Sequence, residues 1–338
     1  MKATFIYGPK DVRVEEAEKP TIIDPTDAVI KLTATCVCGS DLWPYRGEDT
    51  VTERQPMGHE YVGIVETVGS EVHDIKVGNY VVGSFCISDN TCEICADGYP
   101  SRCVHGDFVS GAQAEYLRVP QADGTLVATP AEPTEEQLKH LMAASDVLGT
   151  GWFAADEAQA GPGKIVAVVG DGAVGLLGVL AAQQMGAERI IVMSRHSDRQ
   201  ALAREFGATD IVEERGDEGI AKVKELTNGL GAHSVIEAVG TQQSMETAIA
   251  ITRPGGHIGY VGVSHDVTLE GLPLFFAEVH LMGGPAPVRK YLPHLIDLIY
   301  KGEIEPGKVF NKTVALDDIA EGYRAMADRE AIKTFVRI

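Results

Sequence analysis

The run Lys164-Ile165-Val166-Ala167-Val168-Val169 passes directly into Gly170-Asp171-Gly172-Ala173-Val174-Gly175 and then into a helical apolar pattern through Met185. No other stretch limits the fold so strongly. A short, β-branched apolar run is what a parallel strand covered on both faces requires. Three glycines at this spacing, set between a strand and a helix, make a tight turn, let backbone approach a pyrophosphate, and let the helix pack on the strand. Free N–H groups and the dipole at the helix start then favour an anion. Gly170, Gly172, Ala173, Val174 and Gly175 are therefore the candidate dinucleotide-binding loop. Further strand-like runs at Ser234-Val235-Ile236-Glu237 and His257-Ile258-Gly259-Tyr260-Val261 alternate with helical stretches. Residues 149–285 thus read as a doubly wound Rossmann sheet of the α/β class.

The next strand, Arg189-Ile190-Ile191-Val192-Met193, ends at Ser194-Arg195-His196. A site that prefers NAD ordinarily has an acid there, accepting hydrogen bonds from the ribose 2′-hydroxyl. Here Ser194 takes that place, and Arg195 supplies a cation suited to a 2′-phosphate, with Arg199 able to assist from the following helix. The expected cofactor is NADP.

Residues 1–148 differ in texture. Runs such as Ala28-Val29-Ile30-Lys31-Leu32 and Tyr80-Val81-Val82 lie between Gly, Pro and Asp turns, and few helical patterns precede Glu135, so a β-barrel is expected. All six cysteines (Cys36, Cys38, Cys86, Cys92, Cys95, Cys103) fall in this part. No secretory signal and no apolar run of membrane-spanning length is visible, so a cytoplasmic location is expected and the clustered thiols point to metal rather than to disulfides. A formal net charge of -20 disfavours sequence-independent nucleic-acid binding, which needs Lys and Arg against phosphate.

One cysteine group begins Cys38-Gly39-Ser40-Asp41-Leu42-Trp43 and is followed, after a polar loop, by Met57-Gly58-His59-Glu60. Thiolate and neutral imidazole suit zinc, and a carboxylate completes or adjusts its shell. A single His and a single Cys would ordinarily be a satisfied core histidine beside a buried thiol. Order and spacing argue otherwise: Gly58-His59-Glu60, then Gly63, Gly69 and Val72. This pattern, together with the Cys38 loop, resembles the zinc signature of the medium-chain alcohol dehydrogenases, and the resemblance covers nearly the whole chain.

The resemblance implies a GroES-like β-barrel catalytic domain made of residues 1–148 and 286–338, with the cofactor domain between them. It implies zinc held by Cys38, His59 and Asp146, the last lying four residues before Thr150, which lines the cofactor site. Glu60 would sit in the shell or exchange with the open-site ligand, and Ser40 would pass the substrate proton toward the nicotinamide ribose. A relay histidine common in the family is Trp43 here, which either leaves the proton to water or lines the substrate pocket. Asp89, Cys92, Cys95 and Cys103 have the spacing of the family's four-cysteine structural-zinc lobe, with Asp89 in the first place. That lobe is either a Cys3Asp zinc site, with Cys86 as a stand-in ligand, or an ordinary loop. Strand ends at Ala238-Val239-Gly240 and Val261-Gly262-Val263 would pass the nicotinamide and its ribose, and Lys333 would lie near the cofactor phosphates. The expected function is hydride transfer between NADP(H) and a small-molecule alcohol, aldehyde or ketone, by a homodimer or homotetramer without nucleic-acid or membrane partners. Two other readings compete: a zinc-free quinone or enoyl reductase of the same superfamily, and a non-catalytic NADPH-binding protein.

Overall fold

A computed structural model describes all 338 residues. The chain divides into two compact units, Met1–Asp146 joined by Pro287–Ile338, and Val147–Ala286.

The first unit is built on strand Ala28–Val37, whose apolar alternation buries Ala28, Ile30 and Leu32 with Tyr61, Val65, Val81, Leu117 and Leu126. This strand pairs antiparallel with Tyr61–Val68, with Tyr116–Val119 and with the returning strand Lys333–Arg337. Lys333–Arg337 in turn runs parallel to Phe310–Ala315, and the whole is a seven-stranded sheet. A three-stranded sheet of Asp11–Glu16, Lys2–Gly8 and Gln55–Pro56 accompanies it. The helices before Glu135 are one short turn each, Leu42–Arg46, Glu93–Ala96 and Ala122–Thr125. Helix Glu135–Ala144 starts where Thr134 and Gln137 form a reciprocal capping box, and it ends just before Asp146.

A buried carboxylate fastens the entry of the central strand. Asp27 is 0% exposed; its Oδ2 accepts N–H from Ile23 at 2.9 Å and Asp24 at 2.8 Å, and Nε of Arg118 at 2.6 Å. Burial alone would raise its pKa, but these donors outweigh burial and hold it below the ordinary value. A depressed folded pKa contributes stability above the unfolded pKa, and that contribution is lost as pH falls through the folded value. Asp27→Asn is expected to cost about 1–3 kcal/mol at pH 7. Urea unfolding should show the gap from wild type closing as the medium is acidified through the carboxylate range.

The second unit is a six-stranded, all-parallel sheet in the order Asp210–Val212, Arg189–Met193, Ile165–Val169, Ala232–Glu237, Thr252–Tyr260, His280–Gly283. The order reverses between Ile165–Val169 and Ala232–Glu237, and a ligand crevice is expected outside the carboxyl ends of the strands at such a point. Its apolar centre is Ala167, Ile191, Val212, Val223, Val235, Ala248 and Ile258. Gly175 is required by close approach: a Cβ there would lie 2.1 Å from the carbonyl oxygen of Gly170. The strand expected at 257–261 begins earlier, at Thr252, and its pairing with Ala232–Glu237 shifts register between Ala232 and Ser234, opposite a stretch where Gly255 takes φ +74.

Candidate active site

Three elements of the first unit deliver the metal-type donors. Cys38 follows the last residue of strand Ala28–Val37, His59 immediately precedes the buried run into Tyr61–Val68, and Asp146 follows helix Glu135–Ala144. Oδ2 of Asp146 stands 3.3 Å from Nε2 of His59 and 3.6 Å from Sγ of Cys38. With Glu60 added, one ligand atom from each residue lies within 4.8 Å of all the others. Donors at zinc bond lengths of about 2.0–2.3 Å around a tetrahedron stand roughly 3.3–3.8 Å apart, so the spacing fits such an ion. Burial raises the Cys38 thiol, while Cys38 and Asp146 outweigh burial and lift His59 well above its ordinary value. A dication bound among these donors takes thiolate and neutral imidazole, so its binding releases protons.

The carboxylate of Glu60 is held from behind. Nζ of Lys333 donates to its Oε1 at 2.7 Å and to the carbonyl of Val37 at 3.2 Å, while Oε2 of Glu60 is buried without a partner. Contrary to the expectation from the sequence, Lys333 is 1% exposed and faces Glu60, so it offers no amine to a cofactor phosphate. Pairing of Lys333–Arg337 with Ala28–Val37 turns the side chain inward.

A second layer, invisible as such in the sequence, orients the donors. Asp41 has Oδ1 3.6 Å from Nδ1 of His59, and its Oδ2 accepts the N–H of Cys38 at 2.9 Å and Nε2 of Gln113 at 3.2 Å. The Tyr323 hydroxyl donates to Oε1 of Gln113 at 2.9 Å. Gly58, at φ +90, leaves room for Gln113, whose Cγ would lie 2.4 Å from an added Cβ. Asp41 carried a signal, three residues past Cys38; Gln113 and Tyr323 carried none. Beside His59 the ring of Phe85 lies edge-on at 6.0 Å, and Phe85 stacks on Phe108 at 6.3 Å, with Phe108 half exposed. Ser40 lies in the turn before helix Leu42–Arg46 and Trp43 within that helix, both partly exposed.

In the lobe, Asp89, Cys92, Cys95 and Cys103 form a second group with ligand atoms within 4.8 Å of one another. Sγ of Cys92 is 3.5 Å from that of Cys95 and 3.9 Å from that of Cys103. Oδ1 of Asp89 accepts N–H from Thr91 and Cys92, and Oδ2 lies 2.7 Å from Nδ1 of His105. Burial works against its charge, but these donors prevail and hold its pKa low. Cys86 is outside this group, fixed in the ribbon that pairs Cys86–Ile87 with Asp107–Phe108.

Within the second unit, Gly170 has φ +119 and Gly172 opens helix Ala173–Gln184. Ser194 and Arg199 both reach Asp171: Oγ of Ser194 to Oδ2 at 2.8 Å, and Nη1 of Arg199 to Oδ1 at 3.1 Å. Arg195 is exposed at the end of strand Arg189–Met193. Arg215, which the sequence did not single out, donates to the carbonyl of Met193 at 3.2 Å. Ala238, Val239, Val261, Gly262 and Val263 follow the carboxyl ends of their strands, with Val239 and Val263 exposed. Thr150 lies buried in helix Val147–Glu157.

Comparison with known proteins supplies the family. The model of the alcohol dehydrogenase GroES-like domain matches residues 24–131, and that of the zinc-binding dehydrogenases matches residues 173–301. The chain is 37% identical to zinc-type alcohol dehydrogenase B of Aspergillus flavus, over 96% of this chain and 78% of that one. This chain belongs to the zinc-dependent medium-chain alcohol dehydrogenases. The structure of the alcohol dehydrogenase TADH from Thermus sp. ATN1 is similar to this dehydrogenase with a TM-score of 0.90 and 30% identity, covering 100% of this chain and 99% of that one. A Sinorhizobium meliloti structure bound to NADP matches with a TM-score of 0.81 and 26% identity, over 100% and 99% of the two chains. The dehydrogenase is thus an oxidoreductase with a GroES-like domain and a Rossmann-type sheet, of a family that works with zinc and a nicotinamide cofactor. No helix of the chain is long and apolar enough to cross a membrane.

Proposed function

We propose that this dehydrogenase transfers hydride reversibly between NADP(H) and an alcohol, aldehyde or ketone at a zinc held by Cys38, His59 and Asp146, with Glu60 in reach. The observation that carries the reading is the convergence of these four side chains, one of whose carboxylate oxygens is buried with no partner. When bound, zinc supplies Lewis acidity and the nicotinamide supplies or accepts the hydride. The protein's own part is positional. Asp41 orients His59 and fixes the backbone of Cys38, and Gln113 and Tyr323 hold Asp41. Ser40 moves the substrate hydroxyl proton outward. Phe85 and Phe108 form an aromatic wall next to His59 that favours substrates with an apolar or aromatic body, and Trp43 lines the same pocket. An indole N–H donates but does not shuttle a proton, so Trp43 serves the pocket and not the relay.

In the second unit the glycine turn takes the pyrophosphate and Arg195 the 2′-phosphate. The absence of an acid at Ser194 and the NADP in the Sinorhizobium meliloti structure both support that preference. In the lobe, Asp89, Cys92, Cys95 and Cys103 hold a second, structural zinc, with His105 steering the carboxylate. Metal analysis of the purified protein, with initial rates on graded alcohols under NADP and NAD in parallel, tests the whole. Two zinc ions per chain, chelator-sensitive turnover and faster oxidation with NADP are expected. A zinc-free protein whose turnover ignores chelators would favour the quinone or enoyl reductase reading instead.

A further inference from the structure

The adenosine end of the cofactor site holds an acid after all, but from another segment. Ser194 stands where a ribose-binding acid would end strand Arg189–Met193, yet its hydroxyl donates to Oδ2 of Asp171 at 2.8 Å. From helix Ser197–Glu205, Nη1 of Arg199 donates to Oδ1 of Asp171 at 3.1 Å and to its carbonyl at 3.4 Å. The Arg199 and Asp171 side chains are 13% and 14% exposed, so this is a held carboxylate and not a solvated loop residue. Two further guanidiniums lie close by. Arg195 is exposed at the strand end, and Arg215 hangs on the carbonyl of Met193. Burial and the charge of Arg195 both lower the pKa of Arg215, which places the two cations near one another, and Asp171 acts on Arg215 in the opposite sense.

We propose that Asp171, contributed by the glycine turn, is the residue that sets how strongly this site discriminates a phosphorylated from an unphosphorylated dinucleotide; the proposal builds on the NADP reading above. A ribose 2′-hydroxyl needs an acceptor, and Asp171 is the carboxylate at the position of Ser194. A 2′-phosphate needs donors and cations, and Asp171 both repels it and occupies two of them, Ser194 and Arg199. The Arg195–Arg215 side of the pocket and the Asp171 side therefore pull cofactor choice in opposite directions.

Asp171→Asn keeps the shape and the hydrogen-bonding reach but removes the charge. Dissociation constants of NADPH and NADH, titrated by cofactor fluorescence against the purified protein without substrate, give the readout. The ratio Kd(NADH)/Kd(NADPH) is expected to rise at least about tenfold in Asp171→Asn, with tighter NADPH and weaker NADH. Asp171→Ala serves as the second variant, with the same direction expected. A ratio that moves less than about twofold in both variants overturns the proposal. The wild-type ratio tests the NADP preference separately: wild type that binds NADH more tightly ends that preference, while the change on removing the Asp171 charge still decides this one.

Discussion

Replacing Cys38 by alanine is expected to lower kcat/KM for alcohol oxidation by about a thousandfold or more, the scale of losing several kcal/mol of transition-state stabilisation. The thiolate is one of three donors whose spacing matches a tetrahedral ion, and its removal leaves His59 and Asp146 3.3 Å apart with no sulfur to complete the set. His59→Ala should cost a similar factor, and the double variant little more, because residues that hold one ion act as a unit. Zinc stoichiometry measured on the same preparations links the two losses: activity and one zinc per chain should disappear together. A Cys38→Ala protein within about tenfold of wild-type turnover would remove Cys38 from the chemistry.

The second large effect concerns stability. Lys333 and Glu60 form an ion pair at 2.7 Å with both side chains 1% exposed. Burial raises the Glu60 carboxyl while Lys333 pulls it back; for Lys333, burial opposes the charge but Cys36, Glu60 and Cys38 outweigh it. Breaking such a pair leaves an uncompensated buried charge, and Lys333→Met is expected to destabilise the protein by about 3–5 kcal/mol. Replacing both partners, Lys333→Met with Glu60→Gln, should recover most of the loss, since the cost lies in the orphaned charge. Urea unfolding of the two single variants and the double variant completes the cycle. A loss below about 1 kcal/mol for Lys333→Met would mean that the amine is not buried against Glu60 in solution.

These two cases also show which parts of the molecule can be read from its sequence. The glycine turn is a local signature written between a strand and a helix, while Cys38, His59 and Asp146 were named as one set through resemblance to a known family. The lobe is local too, spanning Asp89 to Cys103. Lys333 is different. Its sequence neighbourhood says only that a base follows an isoleucine; its burial comes from a strand pairing that brings it to Glu60 from 273 residues away. Tyr323 reaches Gln113 across 210 residues for the same reason. Asp171 was not singled out at all, for a different reason. Its place in the glycine turn was plain, but a variable position in that turn carries no mark that it will meet Ser194 and Arg199. Local chemistry is legible where spacing encodes it, and side chains that act through tertiary pairing are not.

The pairing of Lys333–Arg337 with Ala28–Val37 also bears on the order of events during synthesis. Residues 147–286 contain every strand of their own parallel sheet and can close it as soon as they leave the ribosome. The unit that starts first cannot finish first: its sheet waits for a strand translated some three hundred residues after the one it joins, and until then Glu60 has no counter-ion. Nascent chains of this enzyme should therefore acquire a protease-resistant middle before a protease-resistant beginning, and the catalytic ion should be taken up late.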